Sequence, residues 1–128
     1  MSNLQTTILL VEDDNFARPF LVRCLEVVGG YKVLAAANGD EAATQCAAYK
    51  GRIDLLITDV NLEADDGRAL ARRLCALRPE MPVLFISGAD PADLANRGLI
   101  DRRAAFIQKP FLPKVLLDMV RTMIEEAA

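Results

Sequence analysis

Four short apolar runs in this chain lead into groups able to do chemistry. Glu12 and Asp13 follow Thr7–Val11, Asp59 follows residues 53–58, Ser87 follows residues 83–86, and Lys109 comes just after residues 104–107. Runs of branched apolar residues this short, bounded by turn residues, read as strands buried on both faces of a parallel sheet. In open α/β sheets, ligands bind outside the carboxyl ends of such strands. Three carboxylates gathered there repel one another unless a cation joins them, and an all-oxygen donor set suits Mg²⁺ or Mn²⁺. The lysine adds a fixed positive charge and the serine a hydroxyl donor. Acids, a divalent ion, a lysine and a hydroxyl together describe a site for a transferring phosphoryl group, with a carboxylate as its covalent acceptor.

Five strands are expected, the second at residues 31–36 and the last at 104–107, alternating with five helices. The first helix is expected over residues 15–28, where Phe16, Phe20, Cys24 and Val28 recur at helical spacing beside Leu21 and Leu25. Asp14 or Asn15 would cap it and Gly29-Gly30 would end it. Asn38 and Glu41 resemble a capping box that opens an alanine-rich helix to about Tyr49. A third helix is marked by Ala69, Leu70, Leu74 and Leu77, with Arg68, Arg72, Arg73 and Arg78 expected on its solvated face. Asp90-Pro91 reads as an N-cap with Pro at the first position of a short helix to about Arg97. Pro113 starts the last helix, whose Leu116, Met119, Val120, Met123 and Ile124 face the core. Alternation of this kind implies one α/β domain, a parallel sheet covered on both sides by right-handed crossovers.

The 128 residues suffice for a single domain with its own core, and 52% hydrophobic with 26% charged residues describes a globular chain. A net charge of −3, a pI near 4.9 and the lack of a basic stripe argue against a nucleic-acid surface. Nothing reads as a signal peptide or membrane span, so no membrane partner and a cytoplasmic location are expected. Cys24, Cys46 and Cys75 fall at apolar helix positions and are expected to be buried, reduced thiols. Histidine is absent. That removes Ser-His-Asp catalysis, His-containing zinc sites and a phosphohistidine carrier role.

With its motifs assembled, the chain resembles the receiver domain of two-component response regulators over its whole length, 1–128. The likeness rests on Val11-Glu12-Asp13, on Asp59 with Gly67 eight residues on, on Ser87-Gly88-Ala89 and on Lys109-Pro110-Phe111. It implies a flavodoxin-like, doubly wound five-stranded sheet of order 2-1-3-4-5. It also implies Asp59 as phosphoacceptor, Asp13 as a direct metal ligand, Glu12 as a ligand through water, and the Asn61 backbone carbonyl as a further ligand. Lys109 would pair with the phosphoryl oxygens, Ser87 would hydrogen-bond one of them, and Phe106 would be the switching aromatic. The implied donor is a histidine kinase or histidine phosphotransfer protein, and the implied output is contact with a downstream protein through the fourth helix, last strand and last helix. The chain departs from the family pattern at Glu63, where many receivers have proline, and at Phe106, which lacks the hydroxyl of a tyrosine. Asp14 lengthens the acidic cluster and is read as a helix cap.

Two other classes compete. An aspartyl-phosphate hydrolase also uses a strand-end Asp and Mg²⁺, but such enzymes place a second acid two residues after the nucleophile, where Asn61 stands here. A flavodoxin-like cofactor binder would need a Gly- or Ser/Thr-rich phosphate loop after the first strand, which is missing. The expectation is a switch rather than an enzyme. A stand-alone regulator and a receiver within a hybrid sensor kinase both stay open.

Overall fold

A computed structural model describes residues 5–62, 66–101 and 103–127. Its elements are β1 (Thr7–Val11), α1 (Ala17–Arg23) running into a π-helical turn (Cys24–Val28), β2 (Lys32–Ala36), α2 (Gly39–Ala48), β3 (Leu55–Asp59), α3 (Gly67–Leu77), β4 (Val83–Ser87), α4 (Pro91–Asn96), β5 (Ala105–Gln108) and α5 (Pro113–Ala127). The strands form one parallel sheet in the order β2-β1-β3-β4-β5. Among the described residues no helix is long and apolar enough to cross a membrane.

The apolar runs of β1 and β3 are continuous because both faces of the sheet are covered. Alternate side chains enter different cores. Leu9, Val11 and Leu56 join Leu70 and Leu74 of α3, whereas Ile8, Leu10, Leu55 and Ile57 join Leu21, Leu25, Leu116 and Val120 from the α1 and α5 side. Full burial of each such side chain contributes about 1.5–3 kcal/mol. These two layers hold β1 and β3 in register, Val11 opposite Thr58. Their carboxyl ends are thereby neighbours.

The caps follow the sequence. Asn38 Oδ1 accepts from the Glu41 N–H at 2.9 Å while Glu41 Oε1 accepts from the Ala37 N–H at 2.9 Å. Asp90 Oδ1 accepts from the Ala92 N–H at 2.9 Å. The first helix starts two residues later than expected with Phe16 at its N-cap position, and Asp14 Oδ2 reaches its first N–H, that of Ala17, at 2.6 Å.

The first helix departs from expectation on its faces. Leu21, Cys24 and Leu25 turn inward, but Phe16 is 88% exposed, and Phe20, Val27 and Val28 are also exposed. A four-residue repeat drifts about 40° per step around a 3.6-residue helix. The line from Phe16 to Val28 therefore crosses the core only at Cys24. Cys46 is buried as expected, and Cys75 is half-buried; all three thiols are free. Burial, with Cys46 nearby, pushes the Cys75 thiol pKa up.

Two of the four arginines of α3 and its edge are not a solvated face. Arg78 donates to the carbonyls of Cys46 at 2.9 and 3.0 Å, Tyr49 at 2.6 Å and Gly51 at 2.8 Å, which satisfies the open end of α2. Arg68 bridges Asp66 and the Leu99 carbonyl. Arg78→Ala should lower stability by about 2 kcal/mol, because carbonyls left half-buried lose a charged donor. Urea unfolding checks this, and an unchanged midpoint would mean that water replaces the guanidinium without cost.

Candidate functional site

The ends of β1, β3 and the segment after β5 meet at one point. Lys109 Nζ lies 2.7 Å from Asp59 Oδ2 and 3.0 Å from Glu12 Oε1. Glu12 is 3% exposed, the Asp59 side chain 11% and that of Lys109 33%. A buried carboxylate is costly unless its oxygens are satisfied. Glu12 meets this with both: Oε1 takes Lys109, and Oε2 accepts from the Asp14 N–H at 3.0 Å. Asp59 Oδ1 accepts from the Asn61 N–H at 3.0 Å, folding the chain sharply after β3. Burial alone would lower the Lys109 pKa, but the hydrogen bonds and charges of Asp59 and Glu12 outweigh it and raise the pKa above its usual value.

Gly67 fixes the loop beneath the acid. A Cβ there would lie 1.8 Å from the Asp59 carbonyl oxygen, so no larger residue fits without moving the backbone. The Gly67 N–H donates to the Val60 carbonyl at 2.9 Å, and Asn61 pairs with Asp66 in an isolated antiparallel bridge. Ser87 is 1% exposed at the end of β4, and its Oγ accepts from the Ala89 N–H at 3.1 Å. The Ser87 carbonyl accepts from the Lys109 N–H at 2.8 Å, tying the two loops together.

Of the residues singled out from the sequence, the structure thus gathers Glu12, Asp59 and Lys109 directly, with Asn61 joined through its N–H and Ser87 through its carbonyl. Asp13 is half-buried beside them. Phe106 is half-buried on β5, in register with Phe85, and belongs to neither core cluster. Glu63 lies outside the described residues. Asp54 sits at the far end of the sheet, where its Oδ2 accepts from the Thr7 N–H at 2.9 Å. One participant had no sequence signal: Arg18 donates from Nη1 to the Glu12 carbonyl at 2.9 Å.

Among the described residues no group of three or more Cys, Asp and Glu side chains is arranged to hold a metal ion. The donors nevertheless fit a hard divalent cation in kind, because Glu12 Oε1 and Asp59 Oδ2 already converge on one positive charge.

Residues 8–121 match the family model described as the response regulator receiver domain. The chain belongs to this family. Its curated relatives include the sensor kinase CckA of Brucella abortus (strain 2308), 35% identical over 94% of this chain, and the response regulator receiver protein CpdR of the same organism, 35% identical over 91%. The chain spans 13% of the length of CckA but 95% of CpdR. Among solved structures, a CheY-like receiver domain protein from Methanospirillum hungatei JF-1 superposes with a TM-score of 0.82 at 26% identity, covering 97% of both chains. The receiver domain of the hybrid histidine kinase CckA superposes with a TM-score of 0.75 at 34% identity, covering 92% of this chain and 98% of that one. The fold and the phosphorelay class of the receiver therefore hold, and the hydrolase alternative is not favoured.

A raised lysine pKa stabilises the fold below the unfolded value near 10.5 and loses that contribution as pH climbs through the folded value. The stability difference between this receiver and its Lys109→Met variant should be flat from about pH 6 to 9 and shrink above about 10.5. Paired urea titrations would show it; a difference that shrinks between those two lower values would contradict the raised pKa.

Proposed function

We propose that Asp59 is the phosphoacceptor of this receiver and that the domain, taken as residues 1–128, acts as a switch rather than an enzyme. The observation that carries the reading is the single ammonium of Lys109 set between Asp59 and Glu12, with Asp59 still 11% exposed at the carboxyl edge of the sheet. A carboxylate oxygen of Asp59 attacks the donor phosphorus, forming an acyl phosphate O–P bond. The P–N bond of a partner's phosphohistidine breaks, and the imidazole nitrogen keeps the electron pair. In this reading the donor is the phosphohistidine of a histidine kinase or histidine phosphotransfer protein, as the receiver family and its CckA and CpdR relatives support.

Asp13, Asp59 and the Asn61 carbonyl would hold Mg²⁺ (or Mn²⁺) directly and Glu12 through water. Bound there, the ion supplies charge neutralisation between an anionic donor and clustered carboxylates. Lys109 exchanges its carboxylate partner for the new phosphoryl oxygens as a positioned point charge. The Ser87 hydroxyl hydrogen is not used by its bond from Ala89 and can be donated to a phosphoryl oxygen. Ser87 and the half-buried Phe106 then bias the face of α4, β5 and α5, the surface for a downstream protein target. Neither nucleic acid nor membrane enters this reading, and the acidic, histidine-free domain would work in the cytoplasm.

With Mg²⁺, acetyl phosphate should add one phosphoryl group to the protein, read by intact mass. EDTA should abolish the addition, as should Asp59→Asn, while Asp13→Asn should slow it and Asp54→Asn should leave it intact. Modification that survives Asp59→Asn would remove Asp59 from its role. Lys109→Ala should still accept phosphate but lose the accompanying chemical-shift changes; the same changes as wild type would show that Lys109 does not couple acceptance to the switch.

A further inference from the structure

The guanidinium of Arg68, at the start of α3, has two anchors on different parts of the chain. Nη2 and Nε donate to Asp66 Oδ2 at 2.8 Å and Asp66 Oδ1 at 3.2 Å. Nη1 donates to the Leu99 carbonyl at 2.9 Å, in the segment between α4 and β5. The Asp66 anchor leads straight back to the site. Asp66 pairs with Asn61, whose N–H is held by Asp59 Oδ1 at 3.0 Å. The other anchor leads outward, because the Leu99 N–H donates to the Leu94 carbonyl at 2.9 Å and so closes the last turn of α4.

Beside this bridge the packing opens into a groove. A cavity of about 280 Å³ lies beside Arg68, between α3 and the segment after α4, with Ala71, Cys75, Val83, Phe85 and Ile100 in its lining. Where a groove open to solvent separates two elements, they share fewer direct side-chain contacts. The charge-assisted bonds of Arg68 span that groove, and the planar fork is what lets one side chain hold both ends.

We infer that Arg68 is a positioning residue that couples the loop after β3 to the segment 97–101, giving a change at Asp59 a second outward route beside that of Ser87. The inference rests on the reading of Asp59 as the reacting carboxylate. When Asp59 Oδ1 weakens as an acceptor, Asn61 relaxes, Asp66 follows through its bridge, and Arg68 shifts its hold on Leu99.

The test needs no phosphodonor, so it is separate from the acetyl phosphate experiment, whose outcome alone bears on Asp59 as acceptor. Asp59→Asn removes the charge facing Lys109 and weakens the acceptor facing Asn61. Amide hydrogen exchange is compared with and without this change in three backgrounds: Arg68, Arg68→Ala and Arg68→Lys. With Arg68 present, Asp59→Asn should alter exchange both at Gly88–Ala89 and at 97–101. In the other two backgrounds the effect at 97–101 should be at least about threefold smaller, while that at Gly88–Ala89 persists. Arg68→Lys keeps the charge but lacks the fork, so it separates bridging from simple electrostatics and serves if the alanine variant melts early. Equal responses at 97–101 in all three backgrounds, or none with Arg68 present, would overturn the inference.

Discussion

The ammonium of Lys109 ties together three parts of the chain that are far apart in sequence, the ends of β1 and β3 and the loop after β5. Everything else at the carboxyl edge of the sheet is arranged around that charge. Glu12 can be buried because Lys109 and the Asp14 N–H satisfy it. Asp59 can face it because Asn61 and Gly67 turn the chain away immediately after β3. A buried ion pair roughly offsets its own desolvation, so its presence is weak evidence of a stabilising role. Its value here is an acid held ready, with its counter-charge already in place.

The apolar layers make that arrangement possible without taking part in it. β1 and β3 are sealed on both faces, and the carboxylates of Glu12 and Asp59 stand where the strands run out. Binding at this edge is what an open α/β sheet offers by construction. The chemistry of the receiver is then decided by a few side chains on short loops, while most of the sequence maintains the distance between them.

Strand ends were legible because each apolar run is short and stops on a charged or polar residue, and the receiver likeness supplied the strand order, which periodicity cannot. Helix caps were legible for the same local reason, as Asn38 and Asp90 act within three residues of themselves, and so does Asp14 on the first N–H of α1. The burial of α1 was not, because a four-residue apolar line and the true inward face of a helix diverge within a few turns. Nor were the partners of Arg78 and Arg68. An arginine's spacing on its own helix says nothing of carbonyls that another loop brings within reach. Arg18, holding the Glu12 carbonyl, was silent for that reason as well.

The double burial of β1 limits how the length of this chain can vary. Its five residues pair with β2, Ile8 to Val11 pair with β3 as well, and those four send alternate side chains into separate cores. A single inserted or deleted residue within the strand would exchange the two faces along the rest of its length and turn Glu12 away from Lys109. Loops between elements face no such exchange. Among descendants of this sequence, gains and losses of residues should therefore collect in the connections distant from the site, while the spacing from Thr7 to Glu12 stays unchanged.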